Sequence, residues 1–271
     1  MAHHSYFSSL QEQLADGRLD RREFVRYSAL LGVSATAAYA VAGNIVGEDF
    51  APKAVAQDMP VGGSMRIAMR VYVVNDPHTF SWVIDSNIAR QVCGYLSRTG
   101  TDNVTRPDLL SGWEASDDLL TWTLNVREGV NWHDGRAFTA EDIAWNLNHV
   151  LNPETGSSVL GLMKGYMMND AGDALWDANA IEIIDDNTVR LNTRSPNIAI
   201  AEHLFHYPLL IVDPADDGFF GVGSNGTGAF KLTEHVVGEK ATLENANNAT
   251  WHGEGPCLDR IEFIDLGDDP S

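Results

Sequence analysis

Between Leu120 and Leu151 the chain spells out a strand, two turns and a helix, and this run constrains the fold more than any other feature. Leu120, Trp122, Leu124 and Val126 alternate with Thr121, Thr123 and Asn125, the period-two pattern of an antiparallel-type strand with one buried face. Arg127-Glu128-Gly129 turns the chain into Val130-Asn131-Trp132, and His133-Asp134-Gly135 turns it again; Asp-Gly tolerates the positive φ that such turns need. Thr139 and Asp142 then stand at capping-box spacing ahead of the apolar stripe Ile143, Ala144, Leu147, Val150 and Leu151, which Asn152-Pro153 ends.

The flanking sequence supplies more of both element types. Met65, Ile67, Met69 and Val71 alternate with polar or small residues over 64–71, and Asn75-Asp76-Pro77 closes that strand. Ile88, Val92, Tyr95 and Leu96 recur at helical spacing after a candidate cap, Ser86. A hairpin is expected over 180–184 and 189–193, a helix from Ser195-Pro196 to about Tyr207, and strands over 229–232, 241–245 and 261–266. Strands and helices mix without regular βαβ repetition, so the fold class is α/β or α+β with a mixed sheet. At 271 residues the chain has room for about two domains and a sizeable core.

The N-terminal stretch has a separate logic. Asp20-Arg21-Arg22-Glu23-Phe24-Val25-Arg26 sets paired arginines before an aromatic residue, and an apolar run follows from Ala29 to Ala42. That run is shorter than the roughly 20 residues a membrane span needs but matches a signal-peptide apolar region. It resembles a twin-arginine export signal, with Arg21 and Arg22 as the pair. Ala54-Val55-Ala56 offers the small residues of a cleavage site, placing the cut after Ala56, with Ala38-Tyr39-Ala40 as the weaker alternative. Residues 1–56 are therefore expected to be signal peptide and linker, and 57–271 the folded remainder.

Charge and motif content exclude several functions. The net charge of −20 repels phosphate backbones and anionic headgroups, which argues against nucleic acid as a partner. Cys93 and Cys257 lack any metal-ligand or framework spacing. Gly221-x-Gly223-x-x-Gly226 matches a dinucleotide fingerprint in letters only, because a strand follows it where a helix is required. His203 and His206 have no third ligand fixed by spacing, and His133-Asp134 reads as turn chemistry. No nucleophile elbow, HExxH, Walker loop or Cys/His dyad is present. No catalytic residue, metal or cofactor is assigned.

Read in order, the segments resemble the extracytoplasmic solute-binding proteins of family 5, the dipeptide- and oligopeptide-binding receptors of ABC importers. The matching stretches are Arg106 to Ser116, the run Leu120 to Gly135 continued by Phe138 to Ile143, the hairpin Asp185 to Leu191, Gly226 to Phe230, and Trp251 to Ile261. Leu119 stands where the family often has glycine. The resemblance covers about residues 63 to 266. It implies a periplasmic-binding-protein-like type II lobe with a mixed sheet and an inserted α+β subdomain, about 88–205, within a two-lobed clamshell. The chain stops just past the strand that would cross to the second lobe, so an N-terminal fragment with the second lobe missing is expected.

The function the resemblance implies is capture of a short peptide in the periplasm by a monomer, for delivery to an ABC importer permease, after passage through the twin-arginine translocase. Peptides would be held largely by main-chain hydrogen bonds. Arg70, Val71, Tyr72 and Val73 after the first strand, and Asn225, Gly226 and Thr227 in the glycine-rich approach, are the residues expected to face the cleft. Nickel, haem, sugar or opine are alternative ligands, and an exported hydrolase on an unrelated fold is the alternative from another class.

Overall fold

The structure, a computed structural model, describes residues 4–48, 60–247, 251–253 and 255–267. The chain divides into two compact units: residues 1–57, 96–127 and 163–205 form the first, and 58–95, 128–162 and 206–271 the second. The stretch 128–162 belongs to the second unit. Among the described residues no helix is long and apolar enough to cross a membrane.

The sheet of the first unit has the order Leu110–Ala115, Thr121–Val126, Thr188–Asn192, Ile181–Asp185, antiparallel throughout. Trp122, Leu124 and Val126 are buried, as their alternation requires. Leu119 adopts φ 57° in the turn before this strand, the left-handed backbone that glycine would take without steric cost. A separate hairpin pairs Ser97–Thr99 with Thr105–Pro107. The helix expected from Ser195 to Tyr207 is confined to Ile200–His203.

The first unit also contains what composition presents as a detachable leader. Three helices, α1 (Tyr6–Ala15), α2 (Arg21–Leu30) and α3 (Ala35–Val46), occupy the N-terminal stretch. Asp20 caps α2: its Oδ1 accepts from the backbone N–H groups of Arg22 and Glu23, both at 2.8 Å, and Glu23 returns the bond. Gly32, at φ 88°, and the capping residue Ser34 break the apolar run into the end of one helix and the start of another. Ala29, Leu31, Val33, Ala38 and Ala42 consequently turn onto one core with Phe7, Leu10, Leu14, Phe24, Val25 and Val104. The described part of residues 1–56, the segment expected to be signal peptide and linker, is thus helical and packs on this core. The position after Ala56 lies outside the described residues.

Polar contacts fix this packing. The Trp113 indole Nε1 donates to the Leu30 carbonyl at 3.0 Å, and a Cβ on Gly32 would overlap the Trp113 carbonyl oxygen. Arg26 donates from Nε and Nη2 to the two oxygens of Glu202 at 2.8 and 2.9 Å, a fork that holds the guanidinium pKa above its ordinary value. The Tyr39 hydroxyl donates to Asp102 at 2.9 Å. Arg106 bonds the same carboxylate and, with Tyr39 and the Val104 N–H, draws its pKa down to about 2 against the cost of burial.

A pH effect follows with a defined sign. The folded-state value of Asp102 lies below the ordinary carboxylate value, so its contribution is present above pH of about 4 and lost as pH falls from there towards about 2. Allowing for solvent screening of this surface pair, about 1 kcal/mol should disappear over that window. Urea titrations at stepped pH check this: Asp102→Asn should flatten that part of the profile, and an unchanged profile in the variant contradicts the assignment.

The second unit holds a mixed sheet in the order Ser64–Ala68, Arg260–Ile264, Lys240–Asn245, Phe230–Val236. The first pair is parallel and the others are antiparallel. The opening strand stops at Ala68, short of the expected Val71, and its Met65 side chain is exposed. Ile261, Phe263, Ala241, Leu243 and Leu232 supply the buried face instead. Ala140–Leu151 forms the expected helix, capped by Thr139 and Asp142.

Candidate functional site

The conspicuous run around Trp132 folds into a brace within the second unit. Gly135, at φ 94°, lets the chain reverse so that the Trp132 N–H meets the Arg136 carbonyl at 2.8 Å. The His133 N–H donates to the Gly226 carbonyl at 2.8 Å, its ring Nε2 lies 2.8 Å from the Gly228 carbonyl oxygen, and the Asp134 N–H donates to the Asn225 side-chain oxygen at 3.2 Å. One turn thereby grips Asn225, Gly226 and Gly228 of the glycine-rich segment.

Arg136 extends the brace. Its Nη1 donates to Asp142 at 2.8 Å and its Nη2 to Asp213 at 2.5 Å, both carboxylates being almost fully buried. Burial works against the guanidinium charge, but the bond to Asp142 and the fields of Asp142, Asp213 and Asp134 outweigh it and raise the pKa. Asp142 also accepts from the Trp132 indole and from the Thr139 N–H, and Asp213 accepts from the Asn225 amide at 2.6 Å. The guanidinium sits 5.0 Å from the Trp132 ring centroid, adding a cation–π contact.

The residues expected to face the cleft fall into two groups with different anchors. Asn225 is held by Asp213 and Asp134. Gly226 packs so tightly that a Cβ would overlap the Val92 carbonyl oxygen, and Thr227 is buried with its hydroxyl accepting from the Gly94 N–H at 3.3 Å. The Thr227 side chain is thus spent on packing and does not face outward. Arg70 pairs with Asp265 at 3.3 Å, and the Val71 N–H donates to the same carboxylate at 2.9 Å. Backbone N–H groups of Val71 and Gly267, with the nearby Arg70 charge, hold the Asp265 pKa below its usual range. Val71 is buried, whereas Tyr72 and Val73 are 47% and 51% exposed.

Other exposed apolar residues of this unit escaped the sequence reading. Trp82 is 72% exposed, Phe219 60% and Val222 55%, and isolated loop aromatics carry no periodic pattern that would have flagged them. The Phe220 N–H donates to the Asn75 carbonyl at 2.5 Å, joining the glycine-rich segment to the loop after the first strand. Beneath that junction lies a second unforeseen group, Asp76, His78 and His149. His78 is fully buried, its Nε2 lies 2.8 Å from the Leu210 carbonyl oxygen, and its Nδ1 lies 2.8 Å from His149 Nδ1. Burial pushes the His78 imidazole down to about 4, so the ring is neutral.

Comparison with known proteins places this architecture. The profile of bacterial extracellular solute-binding proteins, family 5 Middle, matches residues 104–271, more than half of the chain, and the chain belongs to that family. The periplasmic oligopeptide-binding protein OppA of Haemophilus influenzae is 25% identical over 200 residues, covering 70% of this chain and 37% of the relative. The glutathione-binding protein GsiB of Pectobacterium atrosepticum is 28% identical over 158 residues, covering 53% and 28%. Among solved structures, the unliganded open form of the periplasmic murein tripeptide binding protein MppA superposes with a TM-score of 0.66 at 20% identity, covering 77% of this chain and 42% of that one. A Borrelia burgdorferi oligopeptide-binding protein gives 0.65 at 24% identity, covering 75% and 43%. The fold is that of an OppA-type periplasmic binding protein, and the chain spans about two fifths of the length of the OppA relatives it matches.

Proposed function

We propose that this chain forms one wall of an extracytoplasmic receptor that captures short peptides in the periplasm and hands them unchanged to the permease of an ABC importer. The observation that carries the reading is the division of labour in the second unit. Arg136, Asp142 and Asp213 fix the glycine-rich segment, while Tyr72, Val73, Trp82, Phe219 and Val222 stand exposed in loops of the same unit. Loops with exposed aromatic surface beside a braced backbone segment suit a ligand held by main-chain hydrogen bonds and side-chain stacking, without chemical change. Relatives named for oligopeptide, glutathione and murein tripeptide support a peptide as the ligand class. Arg70 and Asn225 are the polar residues proposed to border the bound peptide, with Val71, Gly226 and Thr227 positioning them. Export by the twin-arginine route rests on Arg21 and Arg22, both exposed at the start of α2, and the receptor works as a monomer.

The test is a titration of the isotopically labelled chain with a large excess of trialanine. Backbone signals of Tyr72, Val73 and Phe219 and the Trp82 indole should shift saturably, Trp82→Ala should weaken the response, and chromatography should recover the peptide intact. Hydrolysis of trialanine, or shifts that avoid these residues, would overturn the reading.

A further inference from the structure

We infer that Asp76, His78 and His149 form a binding site for a divalent first-row transition-metal ion of the Zn²⁺ class. One ligand atom from each side chain lies within 4.8 Å of the other two, and two imidazoles with one carboxylate make a donor set suited to zinc and its neighbours rather than to magnesium or calcium.

The local bonding prepares the donors. The Leu210 carbonyl can only accept, so His78 Nε2 carries the proton and Nδ1 is left with its lone pair directed at His149. A backbone carbonyl fixing the far nitrogen of a ligating histidine is the usual supporting arrangement at such centres. His149 lies flat against Trp145, with centroids 4.8 Å apart and planes 9° apart. A half-turn of its ring keeps that stack while presenting either nitrogen, the proton moving to the other. Asp76 uses Oδ1 to cap the His78 N–H at 2.9 Å, which orients the carboxylate and leaves Oδ2 available.

Space is available as well. Gly218 stands over the group without a side chain: a Cβ there would lie 3.1 Å from His149 Nε2 and 3.6 Å from Asp76 Oδ2. Asp76 and His149 are partly exposed and His78 is buried, so solvent reaches the group through Asp76 and His149. The Nδ1 atoms at 2.8 Å are closer than two ligands of one tetrahedral zinc, about 3.3 Å for bonds of about 2.0 Å, so the ion takes the place of the proton they share as the rings part by about half an ångström. Bound there, it ties the loop after the first strand to the helix Ala140–Leu151 beside Gly218.

The experiment uses the full chain in a His3→Gln, His4→Gln background, because the N-terminal histidine pair would bind metal by itself. After chelator treatment, competition against a chromophoric chelator should show one Zn²⁺ bound per chain, and saturating Zn²⁺ should raise Tm by about 5 °C or more. Co²⁺ should give visible ligand-field bands. His149→Gln should abolish the bands and weaken Zn²⁺ by at least about tenfold, with Asp76→Asn giving the same reading if the histidine variant does not fold. Mg²⁺ and Ca²⁺ should not compete. Absence of a stoichiometric site in the background chain, or binding unchanged in both variants, overturns the inference.

Discussion

Replacing Phe24 by alanine should lower the unfolding free energy of the full chain by about 3–5 kcal/mol, the usual cost of emptying a buried aromatic site. Phe24 is fully buried, its ring lies 5.8 Å from that of Phe7, and the surrounding core draws on all three N-terminal helices as well as Val104. Were residues 1–56 a leader with no share in the folded unit, the same substitution would cost close to nothing. Equilibrium urea unfolding of the unprocessed chain separates the two cases. A loss below about 0.5 kcal/mol would show that the helices do not pack as described. The outcome bears on export: Arg21 and Arg22 are exposed while the apolar residues that follow them are buried, so a translocase would meet the arginine pair on a helix otherwise engaged with its own cargo.

Arg136→Ala should cost about 2–3 kcal/mol. Breaking a buried ion pair by removing one partner typically costs about 3–5 kcal/mol, and the lower figure allows for the guanidinium being 42% exposed. Two almost fully buried carboxylates, Asp142 and Asp213, would be left facing each other without their cation. Asp213 also holds the Asn225 amide, so the loss should reach the glycine-rich segment. Hydrogen exchange at Asn225 to Thr227 should accelerate with the fall in stability. Arg136→Lys restores charge without the fork and should recover only part of it. A fully stable Arg136→Ala protein would refute the role assigned to this brace.

How far sequence predicted these features depended on whether their cause was local. The strand Thr121–Val126 and the helix Ala140–Leu151 were readable because alternation, a positive-φ glycine and a capping pair all act within a few residues. The helix Ser158–Met167 was not, although Val159, Met163, Tyr166 and Met167 trace a buried stripe at helical spacing, because Gly161 and Gly165 blur the pattern. The opening strand was drawn too long because Val71 bonds a side chain, Asp265, where a ladder partner was expected. At the site, the approach Asn225 to Thr227 was singled out, yet its anchor was not: Arg136 and Asp213 are 77 residues apart, and nothing local pairs them. The N-terminal helices show the converse problem. Small apolar residues serve a signal peptide and a helix interface equally well, and the fork from Arg26 to Glu202, spanning 176 residues, is a contact that no local pattern announces.

The parallel pairing of Ser64–Ala68 with Arg260–Ile264 has a consequence for biosynthesis. Its partners are separated by 196 residues, so this edge of the sheet cannot zip up until the chain has left the ribosome as far as Ile264. Until then the earliest strand of the second unit waits unpaired, exposed to chaperones and to strand edges of neighbouring nascent chains, and its closure records that synthesis has run at least as far as Ile264.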